Sequence, residues 1–240
     1  MLKIENVETF GWEAAIRGMR NPKNSWGKSD SKPCEDAGSS QCGYMEKCNG
    51  CCYDIGENDL KLMHTLASAG TDHRKFMRMI VVSADITAPL YWWKEYDTYK
   101  VGTVANSCST MHKITDKEFT VNDFSHEHIE ELIGDEYNMA YALLSHTVDT
   151  LNYFRQKYFE TKTKPMKEES KRAGLVKTYW HQLIQLLPSS YNQRRTVMLN
   201  YEVLANMYKS RRNHKLDEWH TLCNWIETLP HSDLITGKKD

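Results

Sequence analysis

The sequence predicts an α/β fold. Strand-length apolar runs alternate with longer stretches whose apolar residues recur at helical spacing, in a chain long enough for one large core. Its 240 residues are 40% hydrophobic and 26% charged, the balance of a globular protein and not of a disordered one. Basic and acidic side chains nearly cancel, leaving a formal net charge of −1. No global positive field therefore draws in long nucleic acid or an anionic membrane. The expected organisation is a single domain over residues 1–240, with a cysteine-rich insertion at about 21–57 and a charged connector at about 161–174.

Taken in order, residues 3–10 read as a strand, with Ile4, Val7 and Phe10 among polar neighbours, and Trp12 to Met19 as a short helix. Asn21 to Glu57 is rich in Gly, Ser, Asn, Asp, Lys and Cys without periodicity and reads as a long loop. Asn58 is a natural N-cap for a helix carrying Leu60, Met63, Leu66 and Ala67, which Gly70 ends. Phe76 to Ala84 reads as a buried strand. Thr87 then caps a helix whose first turn takes Pro89 and whose core face holds Leu90, Trp93 and Tyr96.

Thr98 to Lys113 is small, polar and irregular. The longest expected helix runs from Glu136 to Tyr158, with an apolar stripe of Ala140, Leu143, Thr147, Leu151, Phe154 and Tyr158. A helix through Tyr179, Leu183 and Leu187 stops at Pro188, Gln193 to Leu199 is strand-like, and helices at about 200–212 and 215–228 finish the chain. The N-terminal residues lack the apolar core of a secretory signal, and no run approaches the roughly 18 apolar residues of a membrane span. The expectation is a cytoplasmic protein without a membrane partner.

The seven cysteines are an odd number, which argues against a disulfide framework. Cys48-Asn49-Gly50-Cys51 has good zinc-ligand geometry, and Cys34 and Cys42 would complete a set of four. Reduced, unpaired thiols in a loop are the alternative. Cys108 sits in the irregular stretch, where a thiolate nucleophile and a small packed residue are both open readings.

The carboxy-terminal quarter carries Leu187-Pro188, Thr196-Val197, Asn200, Asn206, Arg211, His214 and Glu218. Together with Phe76 to Ala84, Ala88-Pro89 and the aromatic helix that follows, this resembles the flavin-dependent thymidylate synthases (ThyX). The resemblance covers most of residues 1–20 and 58–230. Counted forward from Ala88-Pro89, the family signature Arg-His-Arg-x-x-Ser-x-Asn-Glu-x-Ser-x-Arg-Tyr falls on Thr98 to Met111, where almost nothing is identical. Thr98, Tyr99 and Lys100 stand at Arg-His-Arg, Asn106 at the Glu, Cys108 at the second Ser and Thr110 at the last Arg.

The resemblance implies a central, mostly antiparallel sheet flanked by long helices. It implies FAD as cofactor, methylenetetrahydrofolate and NADPH as co-reactants, a pyrimidine deoxynucleotide such as dUMP as substrate, and a homotetramer. On this reading Arg211 is the catalytic, base-contacting arginine. Asn200, Asn206, His214, Lys100, Arg74 and Arg78 face the cofactor; Asn106, Ser107, Cys108, Ser109, Thr110 and Glu95 face the substrate together with Arg211. Phosphates have further candidates in Lys75, Lys94, Arg194, Arg195 and Arg212, since arginine meets phosphate with a two-pronged set of N–H donors. The turn from Gly102 to Ser109 offers backbone N–H groups, and one or two of Tyr91, Trp92, Trp93, Tyr96 and Tyr99 offer a face for a flat ring. Surface cations, an ordinary turn and core aromatics are the plain readings of the same residues, and Asn200 reads equally as an N-cap. A nucleotide-binding protein without catalysis and a zinc-bearing interaction module are the competing functions.

Overall fold

The structure, a computed structural model, describes residues 2–34, 53–165 and 167–238. Its elements are β1 (Lys3–Phe10), α1 (Trp12–Arg20), β2 (Lys32–Pro33), β3 (Tyr53–Asp54), α2 (Glu57–Ser68), β4 (Val81–Pro89), α3 (Leu90–Tyr96), β5 (Val104–Ser107), α4 (Thr110–Lys113), α5 (Glu127–Glu130), α6 (Gly134–Thr163), α7 (Glu169–Gln185), β6 (Asn192–Asn200), α8 (Tyr201–Arg211), α9 (Asp217–Glu227) and α10 (Asp233–Thr236). β1, β4, β6 and β5 form one antiparallel sheet in that spatial order, and β2 pairs with β3 in a separate ribbon. The α/β class with an antiparallel sheet is as the sequence leads one to expect.

β4 shows why the sheet is stable. Val82, Ala84, Ile86 and Ala88 are buried, while Val81, Ser83, Asp85 and Thr87 alternate with them on the other face. Val82 and Ile86, both fully buried, each contribute roughly 1.5–3 kcal/mol. This period-two pattern runs on to Ala88 and the strand to Pro89, so the strand lies later than the expected 76–84, and Thr87 belongs to the strand and is not a helix cap. Phe76 and Met77 are buried, but in a 3-10 turn over Arg74–Arg78 ahead of the strand. Asp85 accepts hydrogen bonds from Asn6 Nδ2 (2.8 Å) and Thr196 Oγ1 (2.5 Å), which ties three neighbouring strands on the open face.

The chain divides into two compact units. Of the described residues, one comprises those within 87–96 and 107–194; the other comprises those within 2–86, 97–106 and 195–238. In the first, α6 and α7 pack over a core of Ile114, Phe119, Phe124, Leu144, Val148, Leu151 and Leu183. Asn152 of α6 both donates to and accepts from the Phe119 backbone at 2.9 Å, and so substitutes for a strand partner. Trp92, Trp93 and Tyr96 are buried, and Trp93 packs edge to face on both of the others while its Nε1 donates to Gln193 O at 2.9 Å.

The expected stripe on α6 needs correction. The buried face is Leu144, Val148 and Leu151, whereas Leu143 is 69% and Met139 75% exposed. The helix carries apolar residues on two sides, and the described residues cover only one of these. The connector is also shorter than expected, because the helices on either side extend to Thr163 and from Glu169.

In the second unit, α1, α2, α8 and α9 surround Ile16, Met63, Met77, Ile80, Leu204, Met207, Trp219 and Leu222. Asn58 does not cap α2. The N-cap is Gly56, and the orphan amides of Asn58 and Asp59 are met by the carboxylate of Asp30 at 2.9 and 3.2 Å. Two further elements interrupt the stretch expected to be irregular: β5 joins the sheet edge, and α4 begins at Thr110 after its N-cap Ser109. α10, after the last expected helix, is an addition.

Candidate functional site

α8 organises the residues on which the functional reading rests. It begins at Asn200, whose side chain accepts from Val203 N at 3.0 Å, the hydrogen bond of an N-cap. It ends at Arg211. The 97–106 segment meets α8 at both places. Gly102 takes a left-handed φ of 76°, and a Cβ there would lie 2.7 Å from Asn200 Nδ2. Tyr99 lies beside Arg211.

Arg211 Nε donates to Tyr99 Oη at 2.9 Å. The guanidinium sits 4.6 Å over the Trp219 ring and 5.6 Å over the Tyr99 ring, and the two rings meet edge to face at 6.0 Å. His214 is 6.2 Å from Trp219, centroid to centroid. Its Nδ1 accepts from Leu216 N at 3.2 Å. A backbone amide only donates, so neutral His214 carries its proton on Nε2.

Other candidates are engaged with one another. Arg74 Nε lies 2.7 Å from Glu202 Oε2, and Arg74 Nη2 donates to Glu202 Oε1 at 3.0 Å and to Asn206 Oδ1 at 3.3 Å. Arg195 pairs with Asp97 at 2.7 Å. Arg78 and Lys100 are exposed. Arg74 also lines a groove of about 1130 Å³ between α2, the end of α8 and α10, which carries Lys61, Lys209 and Arg212 on its walls and the ring of Tyr208. Sequence reasoning misses Lys61, Lys209 and Tyr208; their convergence depends on helix placement, which no local pattern encodes.

Of the substrate-side candidates, Asn106 and Arg211 lie in the second unit, and Glu95, Ser107, Cys108, Ser109 and Thr110 in the first. Glu95 is half-buried on α3. Cys108 is exposed; its N–H donates to Arg194 O and its carbonyl accepts from Gln193 Nε2, both at 2.9 Å. Ser109 Oγ accepts from His112 N at 3.1 Å and caps α4, which Thr110 opens.

Cys34 is half-buried, whereas Cys42, Cys48 and Cys51 lie outside the described residues. Among the described residues no group of three or more His, Cys, Asp or Glu is arranged to hold a metal. Among the same residues no helix is long and apolar enough to cross a membrane.

No protein-family model matches the sequence. No curated protein matches it either. Solved structures do match. The flavin-dependent thymidylate synthase ThyX of Helicobacter pylori, complexed with FAD and dUMP, superposes with a TM-score of 0.61 at 14% identity, over 98% of this chain and 97% of that one. A second structure of ThyX from that organism, also with FAD and dUMP, gives a TM-score of 0.60 at 14% identity with the same coverage. At this identity the likeness is one of architecture, and it extends over nearly the whole of both chains: the protein is built on the fold of the flavin-dependent thymidylate synthases.

Proposed function

We propose that this protein is an enzyme that binds a pyrimidine deoxynucleotide, dUMP or a relative, beside FAD and transfers a one-carbon unit to its base. Methylenetetrahydrofolate would be the one-carbon donor and NADPH the source of electrons. The single observation that carries the reading is the end-to-end likeness to a synthase solved with FAD and dUMP. Arg211, at the end of the helix that Asn200 caps, is in accord with it. Asn106, Ser107, Cys108, Ser109, Thr110 and Glu95 complete the proposed substrate side. Asn200, Asn206, His214, Lys100, Arg74 and Arg78 make up the proposed cofactor side.

Cations for a flavin dinucleotide are offered by Lys61, Arg74, Lys209 and Arg212 around one groove of about 1130 Å³, whose lining also carries Glu57, Asp233 and the buried Tyr208. Arg74, Lys209 and Arg212 would hold the diphosphate. Reduced flavin, when bound, supplies the hydride. The chain's own part is to bind and orient: Arg211 is the proposed contact to the base edge or the phosphate, with His214 beside it. Replacing Arg211 with alanine is expected to weaken dUMP binding by about 10- to 100-fold, the range of a lost hydrogen bond to a charged group. Titration calorimetry checks this, and unchanged affinity would remove the arginine from the site.

A second reading is a nucleotide-binding protein without flavin chemistry. It is favoured by the internal engagement of Arg74 with Glu202 and Asn206, and of Asn200 with Val203 N. The visible spectrum of the purified protein and mass analysis of what copurifies separate the two. Retained flavin supports the enzyme; nucleotide without flavin supports the second reading.

We further propose a homo-oligomer, a tetramer by the resemblance, in which the open face of α6 is covered by another copy. Met139 and Leu143 stand one turn apart on that face, at 75% and 69% exposure. Two buried apolar side chains per copy contribute roughly 3–6 kcal/mol. The double variant Met139→Glu with Leu143→Glu is expected to run as a smaller species in light scattering, with its helical circular dichroism intact. An unchanged mass would sink the assignment of this face.

A further inference from the structure

The proposed role of Arg211 does not explain why its guanidinium is enclosed by two rings from distant parts of the chain. Tyr99 and Trp219 lie 112 residues before and 8 residues after it. An arginine side chain has many rotamers, and an anchor that must be frozen on binding loses affinity in proportion to the freedom it gives up. Here the freedom is already lost. The Trp219 face at 4.6 Å fixes the plane of the guanidinium, and the hydrogen bond from Nε to Tyr99 Oη fixes its rotation within that plane. Trp219 is itself fully buried, so it is a rigid wall. Tyr99 is set by the turn that Gly102 closes against Asn200.

Resting on the nucleotide-binding reading of Arg211, we infer that Tyr99 and Trp219 are positioning residues that hold the Arg211 guanidinium in its binding pose before the nucleotide arrives. The altered stretch at 98–100 then keeps a part in binding, because Tyr99 acts on Arg211 and through it on the ligand. Trp219 differs in this from Trp92 and Trp93, which pack on each other and on Tyr96.

The test uses the full-length protein and dUMP, with affinity read by calorimetry. Tyr99→Phe keeps the ring and removes the hydroxyl; it is expected to weaken binding about fivefold. Trp219→Leu removes the aromatic face and is expected to weaken binding by about tenfold, whereas Trp219→Phe, which keeps a face, retains most of the affinity. The deciding measurement repeats Tyr99→Phe and Trp219→Leu in an Arg211→Ala background. If the rings act through the arginine, neither adds a further loss there.

An undiminished loss in that background would make them ordinary structural residues and overturn the inference. Wild-type affinity in Tyr99→Phe together with a loss in Arg211→Ala overturns the inference alone and leaves the nucleotide reading standing. Full affinity in Arg211→Ala, or no binding of dUMP by the wild type, takes down the nucleotide reading and the inference with it. Should Trp219→Leu fail to fold, the Tyr99→Phe cycle decides by itself.

Discussion

Replacing Asp59 with asparagine is expected to destabilise the protein by about 3–5 kcal/mol, the cost of breaking a buried ion pair and stranding one charge. Asp59 is fully buried on α2 and Arg20, at the end of α1, is 4% exposed. Arg20 Nε donates to Asp59 Oδ1 at 2.6 Å. The second oxygen accepts from Ser29 Oγ and Ser31 Oγ, each at 2.7 Å, and from the amides of Asp30 and Ser31, each at 3.2 Å. An asparagine keeps the shape, but presents an amide to one of these donors and leaves Arg20 without its counter-charge. The Ser29–Ser31 segment and the Asp30 carboxylate that caps α2 depend on the same node.

The pH dependence follows. Burial by itself raises the Asp59 pKa, but the hydrogen bonds from Ser31, Ser29 and Arg20, with the Arg20 charge, outweigh it and leave the carboxyl below its ordinary value. A group depressed on folding stabilises the native state above its unfolded pKa, about 3.9 for aspartate. That contribution is lost as pH falls from there through the lower folded value, because the unfolded chain takes the proton first. Urea melts of wild type and Asp59→Asn should therefore converge as pH falls below about 4. A gap that stays constant down to the acid limit would contradict the assignment of the stabilisation to the charge.

Nothing in the sequence announces Asp59. A single aspartate near the start of an amphipathic helix reads as a favourable charge on the helix dipole, and its partner is 39 residues away. The same is true of the Tyr99–Arg211–Trp219 cluster: Tyr99 and Arg211 are legible one by one, Trp219 is not singled out by any local pattern, and the three become a group only in three dimensions. What is legible is local. The alternation of Gln193, Val197 and Leu199 marks β6, Asn200 marks the start of α8 by its capping chemistry, and Trp92, Trp93 and Tyr96 are indeed core.

The misplacement of β4 has an identifiable cause. Phe76, Met77, Met79 and Ile80 extend the apolar run backwards, while Ser83, Asp85 and Thr87, which mark the true alternation, weaken it forwards. Apolar content is the stronger signal there and period two the correct one. On α6 both faces carry apolar residues, so periodicity alone does not choose between the Leu143 and Leu144 sides. The divided placement of the signature stretch, with Asn106 in one compact unit and Ser107 to Thr110 in the other, is likewise invisible to spacing.

Gly11→Ala is expected to cost more than about 3 kcal/mol and to leave little folded protein. Gly11 joins β1 to α1 at a φ of 93°, in the left-handed region that favours glycine. A Cβ built there would lie 2.0 Å from the carbonyl oxygen of Met79 and 3.2 Å from its carbonyl carbon. Those are backbone atoms at the entry to β4, next to Ile80, whose carbonyl accepts from Tyr201 N at 3.0 Å where α8 begins. Relief therefore requires moving the strand or the helix, not a side chain.

Gly18 on the same α1 is the internal control. A Cβ there would approach only the thioether of Met79, at 2.9 Å from Sδ, and a methionine side chain swings away cheaply. The helix propensity gained by removing a mid-helix glycine, roughly 1 kcal/mol, offsets that adjustment, so Gly18→Ala should change stability little in either direction. Thermal melts of the two variants side by side make the comparison. Equal stability of Gly11→Ala and Gly18→Ala would mean that the close approach of β1–α1 to the start of β4 is not what holds this part of the sheet in place.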